Sequence, residues 1–167
     1  IVRSAFNSAG QRCSALRLLL VQEEIYPELI SMLKGAMDDL TIGIPSDSSV
    51  DIGPIINSQA LEKLQKYLIK MKSEGQNIFQ TSINQKLFKG DWFPPTLIEI
   101  DSMSIIEEEQ FGPILHIASF SEDTLNQHLE EINRKGFALT FGIHTRIDAK
   151  ALDAAKQTSS GNIYINR

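Results

Sequence analysis

Short apolar runs of strand length alternate with amphipathic segments of helical period along most of this 167-residue chain. This alternation predicts an α/β fold in which a mostly parallel sheet is flanked by helices. The predicted strands are 15–22, 77–81, 96–100, 114–120, 137–144 and 161–165, and the predicted helices are 23–40, 58–73, 122–134 and 148–158. The first strand is so apolar that we expect it inside the sheet and not at its edge. Ligands in this class gather at the loops that follow strands.

Local signals set the ends of several elements. Gly75 and Gly136 are predicted to end the second and third helices, since glycine readily adopts the left-handed conformation found there. Asp148 is predicted to cap the fourth helix. The residues 43–49 form a loop, and 89–95 a turn region. The length of 167 residues fits one domain of ordinary size, and we find no repeat and no low-complexity tract.

The bulk composition narrows the class of protein. The chain is 42% hydrophobic and 22% charged, which supports a folded core and argues against disorder. Its net charge is -5, so no basic face for nucleic acid is expected. The longest apolar run, 18–21, is far too short to span a membrane.

The cysteine and histidine content bears on metals and compartment. The single Cys13 excludes an internal disulfide and a cysteine-rich zinc site, and it is compatible with a reducing, cytoplasmic setting. The three histidines are widely separated, so no metal site is predicted. The chain begins at Ile1 without the pattern of a signal peptide and stops at Arg167, just after a predicted strand. We therefore expect both ends to have been cut from a longer protein.

Cys13 is the first candidate for chemistry. A cysteine thiolate is a strong nucleophile that suits attack on an aldehyde carbon, and small residues around Gly10 would allow a substrate to approach. Arg12 could favour the thiolate. Composition alone favours the other interpretation, in which a lone cysteine is a small buried apolar residue.

The segment Glu107–Pro113 is the second candidate. Three adjacent carboxylates are usually a solvated run, but Phe-Gly-Pro then forces a rigid turn into an apolar strand. A carboxylate there could accept hydrogen bonds from sugar hydroxyls, with the aromatic side chain packing on a ring. The segment Asp51–Ile55 and the histidine His144 are interpreted as structural, and Trp92–Pro95 fits a small aromatic anchor and a packed turn equally well. No glycine-rich phosphate loop is present.

Taken together, these segments resemble the aldehyde dehydrogenase superfamily. Gly10–Cys13 looks like its nucleophile motif, Glu108–Pro113 is similar to its Glu-Glu-x-Phe-Gly-Pro motif, and Asp51–Ile55 resembles its Gly-Pro loop, in the same order. The segments Ser4–Arg17, Thr140–Asp148 and Gly161–Arg167 look like the L-glutamate γ-semialdehyde (1-pyrroline-5-carboxylate) dehydrogenase branch, above all the dehydrogenase part of bifunctional proline utilization A proteins. Those proteins carry FAD in a separate proline dehydrogenase domain, which this chain lacks.

The resemblance implies a role for each matching residue. Cys13 would attack the aldehyde to give a thiohemiacetal, hydride would pass to NAD, and water would release glutamate from the resulting thioester. The backbone N–H of Cys13 would contribute to the oxyanion hole. Glu109 would hold the nicotinamide ribose, Phe111 would pack beside the ribose and nicotinamide, and Ser14 would contact the carboxylate end of the substrate.

The resemblance also implies what lies elsewhere. The general-base glutamate, the oxyanion asparagine and the main NAD-binding domain would precede Ile1, and a glycine-rich substrate loop would follow Arg167. We therefore expect 1–167 to be a fragment of the catalytic domain, inactive alone, from a parent that is a homo-oligomer acting on a small aldehyde. Two alternatives stay open: an aldehyde dehydrogenase for another aldehyde, and a folded module without catalysis.

Overall fold

A computed structural model describes residues 1–83, 90–137 and 139–167. These residues form two compact units, one made of 1–102 with 110–119 and the other of 103–109 with 120–167. The predicted turn at 89–95 and the predicted strand at 137–144 each include one residue, Lys89 and Ala138, that lies outside the described residues. No helix in the described part of the chain is both long enough and apolar enough to cross a membrane.

The first unit is built on a four-stranded sheet in the order β1-β4-β3-β2. The strands are β1 (Leu18–Gln22), β2 (Asn77–Gln80), β3 (Thr96–Glu99) and β4 (Ile114–Phe120). β3 pairs with β4 in parallel, with Thr96 opposite Ile114, and β2 pairs with β3 antiparallel. The central strands hold the core: Leu97, Ile98, Ile114, Leu115 and Ile117 are fully buried.

The position of β1 corrects one expectation. We expected the apolar segment 15–22 to lie inside the sheet, but β1 is at its edge in this chain, and three of its five residues are only partly buried. An apolar run signals burial of side chains from both faces of a strand, and it does not say whether both backbone edges are paired.

Three helices accompany this sheet: α1 (Val2–Phe6), α2 (Tyr26–Asp38) and α3 (Ser58–Ser73). α3 has the predicted bounds, because the Asn57 side chain accepts a hydrogen bond from the Ala60 N–H at 2.9 Å and Gly75 follows the helix with φ +78°. α2 begins three residues later than predicted. Pro27 occupies its first turn, where a missing N–H costs nothing, and so fixes the start.

The second unit contains α4 (Leu125–Lys135), α5 (Asp148–Gln157) and a parallel pair of strands, β5 (Thr140–Ile143) and β6 (Asn162–Ile165). Gly136 ends α4 with φ +75°, as predicted. The predicted cap at Asp148 is wrong: Ile147 is the N-cap, and Asp148 lies in the first turn, where a carboxylate still favours the positive end of the helix dipole.

Candidate active site

Cys13 lies at the tip of a tight turn. The Ala15 N–H donates to the Arg12 carbonyl at 3.1 Å, which leaves Cys13 and Ser14 as the exposed central residues. The thiol is free and exposed. The interpretation of Cys13 as a small buried core residue is therefore wrong in this structure, and an exposed sulfur is open to attack a substrate.

The chain reaches this turn through an unusual backbone. Ser8, Ala9 and Gly10 follow one another with φ of 55°, 52° and 63°. The left-handed conformation costs a non-glycine residue about 1–2 kcal/mol, so Ser8 and Ala9 store strain that neighbouring contacts must offset.

Gly10 packs directly against the second motif. A Cβ at Gly10 would lie 2.1 Å from the Gly112 carbonyl oxygen, so the two backbones approach this closely only because Gly10 carries no side chain. Gly112 in turn faces Leu64 of α3, where an added Cβ would lie 2.5 Å from a methyl group. The nucleophile segment and the Phe-Gly-Pro turn are thus packed directly against each other.

Gln11 joins the same turn to the third motif. Its Nε2 donates to the Pro54 carbonyl at 3.2 Å, and its Oε1 accepts from the Ile56 N–H at 2.9 Å. Both ends of one amide are used, which fixes its orientation. The Gly-Pro loop, interpreted from sequence as structural, supplies hydrogen-bond partners for the residue two places before Cys13.

Arg17 is the site residue that sequence reasoning missed. Its Nη1 donates to the Gly10 carbonyl at 3.0 Å and its Nη2 to the Arg12 carbonyl at 2.8 Å. The guanidinium carbon also lies 4.4 Å from the centre of the Phe111 ring, within cation–π range. One side chain therefore contacts two carbonyls of the segment that leads into Cys13 and the aromatic residue of the second motif. The signal available in the sequence was an arginine four residues after the cysteine, at the entrance to an apolar strand.

A buried histidine supports Arg17 from beneath. His116 of β4 is 1% exposed, and both its backbone N–H and its Nδ1 lie 2.9 Å from the Arg17 carbonyl. A carbonyl only accepts, so Nδ1 carries the proton, Nε2 is the acceptor, and the Tyr67 hydroxyl donates to Nε2 at 2.7 Å. Burial lowers the pKa of His116 to about 4, which keeps this ring neutral at physiological pH.

The residues of the second motif differ in how far their side chains are exposed to solvent. Gln110 is buried, Glu109 is half-buried and the Phe111 ring is 47% exposed. Arg17 places Phe111 beside the cysteine turn, whereas Glu109 belongs to the second unit. Arg12, suggested from sequence to favour the thiolate, has an exposed side chain, and its carbonyl accepts the bond from Arg17.

Two clefts among the described residues lie away from the turn. One, of about 290 Å³, is lined by polar residues that include Tyr26, Asn77, Glu99 and Asp101, and the other lies between α1 and α2. Within the described ranges, no group of three or more His, Cys, Asp or Glu side chains could hold a metal ion.

The structure is thus an α/β fold that presents a free cysteine on an exposed turn, and a cysteine is a side chain that can bond covalently to a carbonyl carbon. The model of the aldehyde dehydrogenase family matches residues 1–167, and the chain belongs to that family.

Individual proteins of known sequence or structure are similar to this chain over nearly its whole length. The bifunctional protein PutA of Klebsiella aerogenes is 39% identical over 172 residues, which cover 100% of this chain and 13% of that protein. A crystal structure of a mutant proline utilization A from Bradyrhizobium japonicum has a TM-score of 0.93 and 40% identity, covering 99% of this chain and 17% of that one. Betaine aldehyde dehydrogenase from Staphylococcus aureus, solved with NAD⁺, has a TM-score of 0.90 and 26% identity, with coverages of 99% and 33%. The chain therefore spans a minor part of each relative.

Proposed function

We propose that the full-length protein carrying this chain is an NAD-dependent dehydrogenase that oxidises L-glutamate γ-semialdehyde to L-glutamate in proline catabolism. The observation that carries the proposal is the exposed Cys13 thiol on a turn fixed by Gly10, Gln11 and Arg17, in a chain of the aldehyde dehydrogenase family. The similarity to the bifunctional PutA proteins favours this substrate over other aldehydes.

In the proposed reaction, the Cys13 sulfur bonds to the aldehyde carbon, and the Cys13 backbone N–H donates to the oxygen that becomes negatively charged. NAD, when bound, would accept the hydride that leaves this carbon, which oxidises the carbon by two electrons. Water then attacks the carbon still held by Cys13, and the carbon–sulfur bond breaks to release the carboxylic acid and the thiol. A rigid turn favours this sequence, because the sulfur keeps its position through both steps.

Two residues of the second motif have side chains that suit the cofactor. Arg17 covers one face of the Phe111 ring, and 47% of Phe111 stays exposed, which leaves aromatic surface for a ring to pack against. Glu109 offers a half-buried carboxylate, a group that accepts hydrogen bonds from ribose hydroxyls. We assign Glu109 and Phe111 to NAD and the exposed Ser14 to the carboxylate end of the substrate.

The remaining groups are proposed to come from the rest of the protein. They are the general base, the oxyanion side chain, the main NAD-binding domain and the loop for the amino-acid end of the substrate. The 167-residue chain alone should then show no turnover. A homo-oligomeric parent, a cytoplasmic location and a separate FAD-containing proline dehydrogenase domain stay predictions.

The test is Cys13→Ala in the full-length protein, with NADH formation followed on L-glutamate γ-semialdehyde. We expect the variant to lose activity by several orders of magnitude and to retain NAD binding. Activity at the level of the unmodified protein would refute the catalytic role, as would a Cys13 thiol that reacts no faster than a model thiol.

A dehydrogenase for a different aldehyde is the second candidate, favoured by the TM-score of 0.90 with betaine aldehyde dehydrogenase. A comparison of kcat/KM over a panel of aldehydes separates the two. A preference for the γ-semialdehyde supports the proposal, and a preference for betaine aldehyde or another neutral or cationic aldehyde supports the alternative.

A further inference from the structure

The contacts of the Arg17 side chain link parts of the candidate active site, in addition to stabilising the fold. It stands at the entrance to β1, and its guanidinium spans the two carbonyls, Gly10 and Arg12, that lie on either side of Gln11 immediately before Cys13. The planar fork of an arginine can donate to two acceptors at once in fixed directions, which a lysine cannot do.

The same guanidinium is also a platform for Phe111. The guanidinium carbon lies 4.4 Å from the ring centre, which is within cation–π range, and the other contacts of Arg17 fix the position of the guanidinium. A displacement of the turn would thus move the ring, and a displacement of the ring would move the turn.

Arg17 is itself held at its backbone. Its carbonyl accepts two hydrogen bonds from His116, whose ring is oriented by Tyr67 of α3. The buried side of the sheet therefore fixes the start of the Arg17 side chain, and the turn and Phe111 fix its end.

We propose that Arg17 is a positioning residue that couples the nucleophile turn to the aromatic ring of the cofactor site. It sets the place of the Cys13 sulfur and of Phe111 together, so that the carbon bound to sulfur and the hydride acceptor are presented in one geometry. This inference rests on the proposed function. Arg17 does not touch the reacting atoms and transfers no proton.

The test compares Arg17→Lys and Arg17→Met in the full-length protein, with Arg3→Lys and Arg3→Met as matched controls at an exposed arginine of α1 outside this contact set. We measure kcat, the KM for aldehyde and for NAD, the melting temperature, and the rate at which iodoacetamide alkylates Cys13, read by mass spectrometry. A displaced reactive group commonly costs up to about 100-fold in rate. We expect both Arg17 variants to lose about 10- to 100-fold in kcat, with KM for aldehyde within about twofold and KM for NAD raised.

A second measurement addresses the coupling itself. If Arg17 places Phe111, then Phe111→Leu should raise the KM for NAD less in the Arg17→Lys background than in the unmodified protein, since coupled residues are not additive. Full additivity would overturn the coupling.

The possible outcomes separate this inference from the proposed function. Retained activity in Cys13→Ala would overturn both. An inactive Cys13→Ala together with unchanged kcat and alkylation in both Arg17 variants would overturn the inference alone. So would failure of both Arg17 variants to fold, since Arg17 would then be needed for the fold itself and not for placing the sulfur. Equal losses in the Arg3 variants would also overturn it.

Discussion

Gly10 and Gly112 meet backbone to backbone, and this contact joins the nucleophile turn to the Phe-Gly-Pro turn. A Cβ on Gly10 would lie 2.1 Å from the Gly112 oxygen and 3.1 Å from the Ala5 oxygen. Backbone atoms on both sides cannot swing away as the end of a flexible side chain would. The contact therefore demands glycine at this position for packing as well as for its positive φ.

Gly10→Ala should disable the site. The added methyl group meets backbone oxygen and must adopt φ +63°, so we expect a loss of about 3 kcal/mol or more in stability and the loss of NADH formation in the full-length protein. Gly35→Ala is the matched control, because Gly35 lies within α2 and a Cβ there meets nothing within 4 Å. It should gain up to about 1 kcal/mol from helix propensity. Similar melting temperatures for the two variants would contradict this prediction.

We predict that Gln11 fixes the nucleophile turn through the hydrogen bonds of its amide group and not through the volume of its side chain. In Gln11→Glu the carboxylate still accepts from the Ile56 N–H, but its second oxygen faces the Pro54 carbonyl without a proton. Each lost hydrogen bond is worth about 1 kcal/mol. We expect Gln11→Glu to slow alkylation of Cys13 at pH 8 more than Gln11→Leu, which creates no repulsion.

Gln65→Glu, on the exposed face of α3, is the control for the added negative charge. It should leave the alkylation rate of Cys13 unchanged. If Gln11→Glu and Gln65→Glu behave alike, the orientation of the Gln11 amide has no part in fixing the turn.

The sequence predicts the elements whose signals are local. α3 and β4 have the predicted bounds, because an amphipathic repeat with a capping asparagine defines the first and a continuous apolar run defines the second. The edge position of β1 was not predicted, since hydrophobicity does not specify which strand pairs with which.

The residues of the candidate site also divide into those that have a local signal in the sequence and those that do not. Motif spacing points to Cys13 and Phe111, but composition alone placed Cys13 in the core, and a tight turn overrode that expectation. Arg17 and His116 escaped notice because their importance depends on contacts with residues distant in sequence, up to 99 positions apart. Neither has a motif of its own.

Tyr26 should titrate well above an ordinary tyrosine. Partial burial, and then the negative charges of Glu99 and Asp101, raise the pKa of Tyr26 to about 12, and its hydroxyl lies 3.3 Å from Glu99 Oε2. A raised pKa means that the stabilising contribution is complete below pH 10 and is lost as the pH rises towards 12. The difference in absorbance at 295 nm between the unmodified full-length protein and Tyr26→Phe should show a transition near pH 12.

Glu99→Gln tests the assigned cause of the Tyr26 shift. Removing that charge should lower the pKa of Tyr26 while burial keeps it above 10. A transition that stays near pH 12 would show that Glu99 contributes nothing. Glu99 Oε1 also accepts hydrogen bonds from Lys34 at 2.9 Å and from Asn77 at 2.7 Å, and the amide oxygen of a glutamine in that position can accept both.

His116 should make the protein sensitive to acid. Burial lowers its pKa to about 4 in the folded state, against 6.5 in an unfolded chain, so the unfolded state takes up a proton first as the pH falls. Folding stability should therefore fall between pH 6.5 and 4, by about 3 kcal/mol in total for this group, and show no contribution from it above pH 7.

His116→Asn keeps a donor near the Arg17 carbonyl and does not titrate. Its melting temperature should decline less steeply from pH 7 to pH 4.5 than that of the unmodified full-length protein, whereas His144→Asn, at an exposed histidine, should leave the slope unchanged. Identical slopes for the unmodified protein and His116→Asn would show that His116 is not the acid-sensitive group beneath the nucleophile turn.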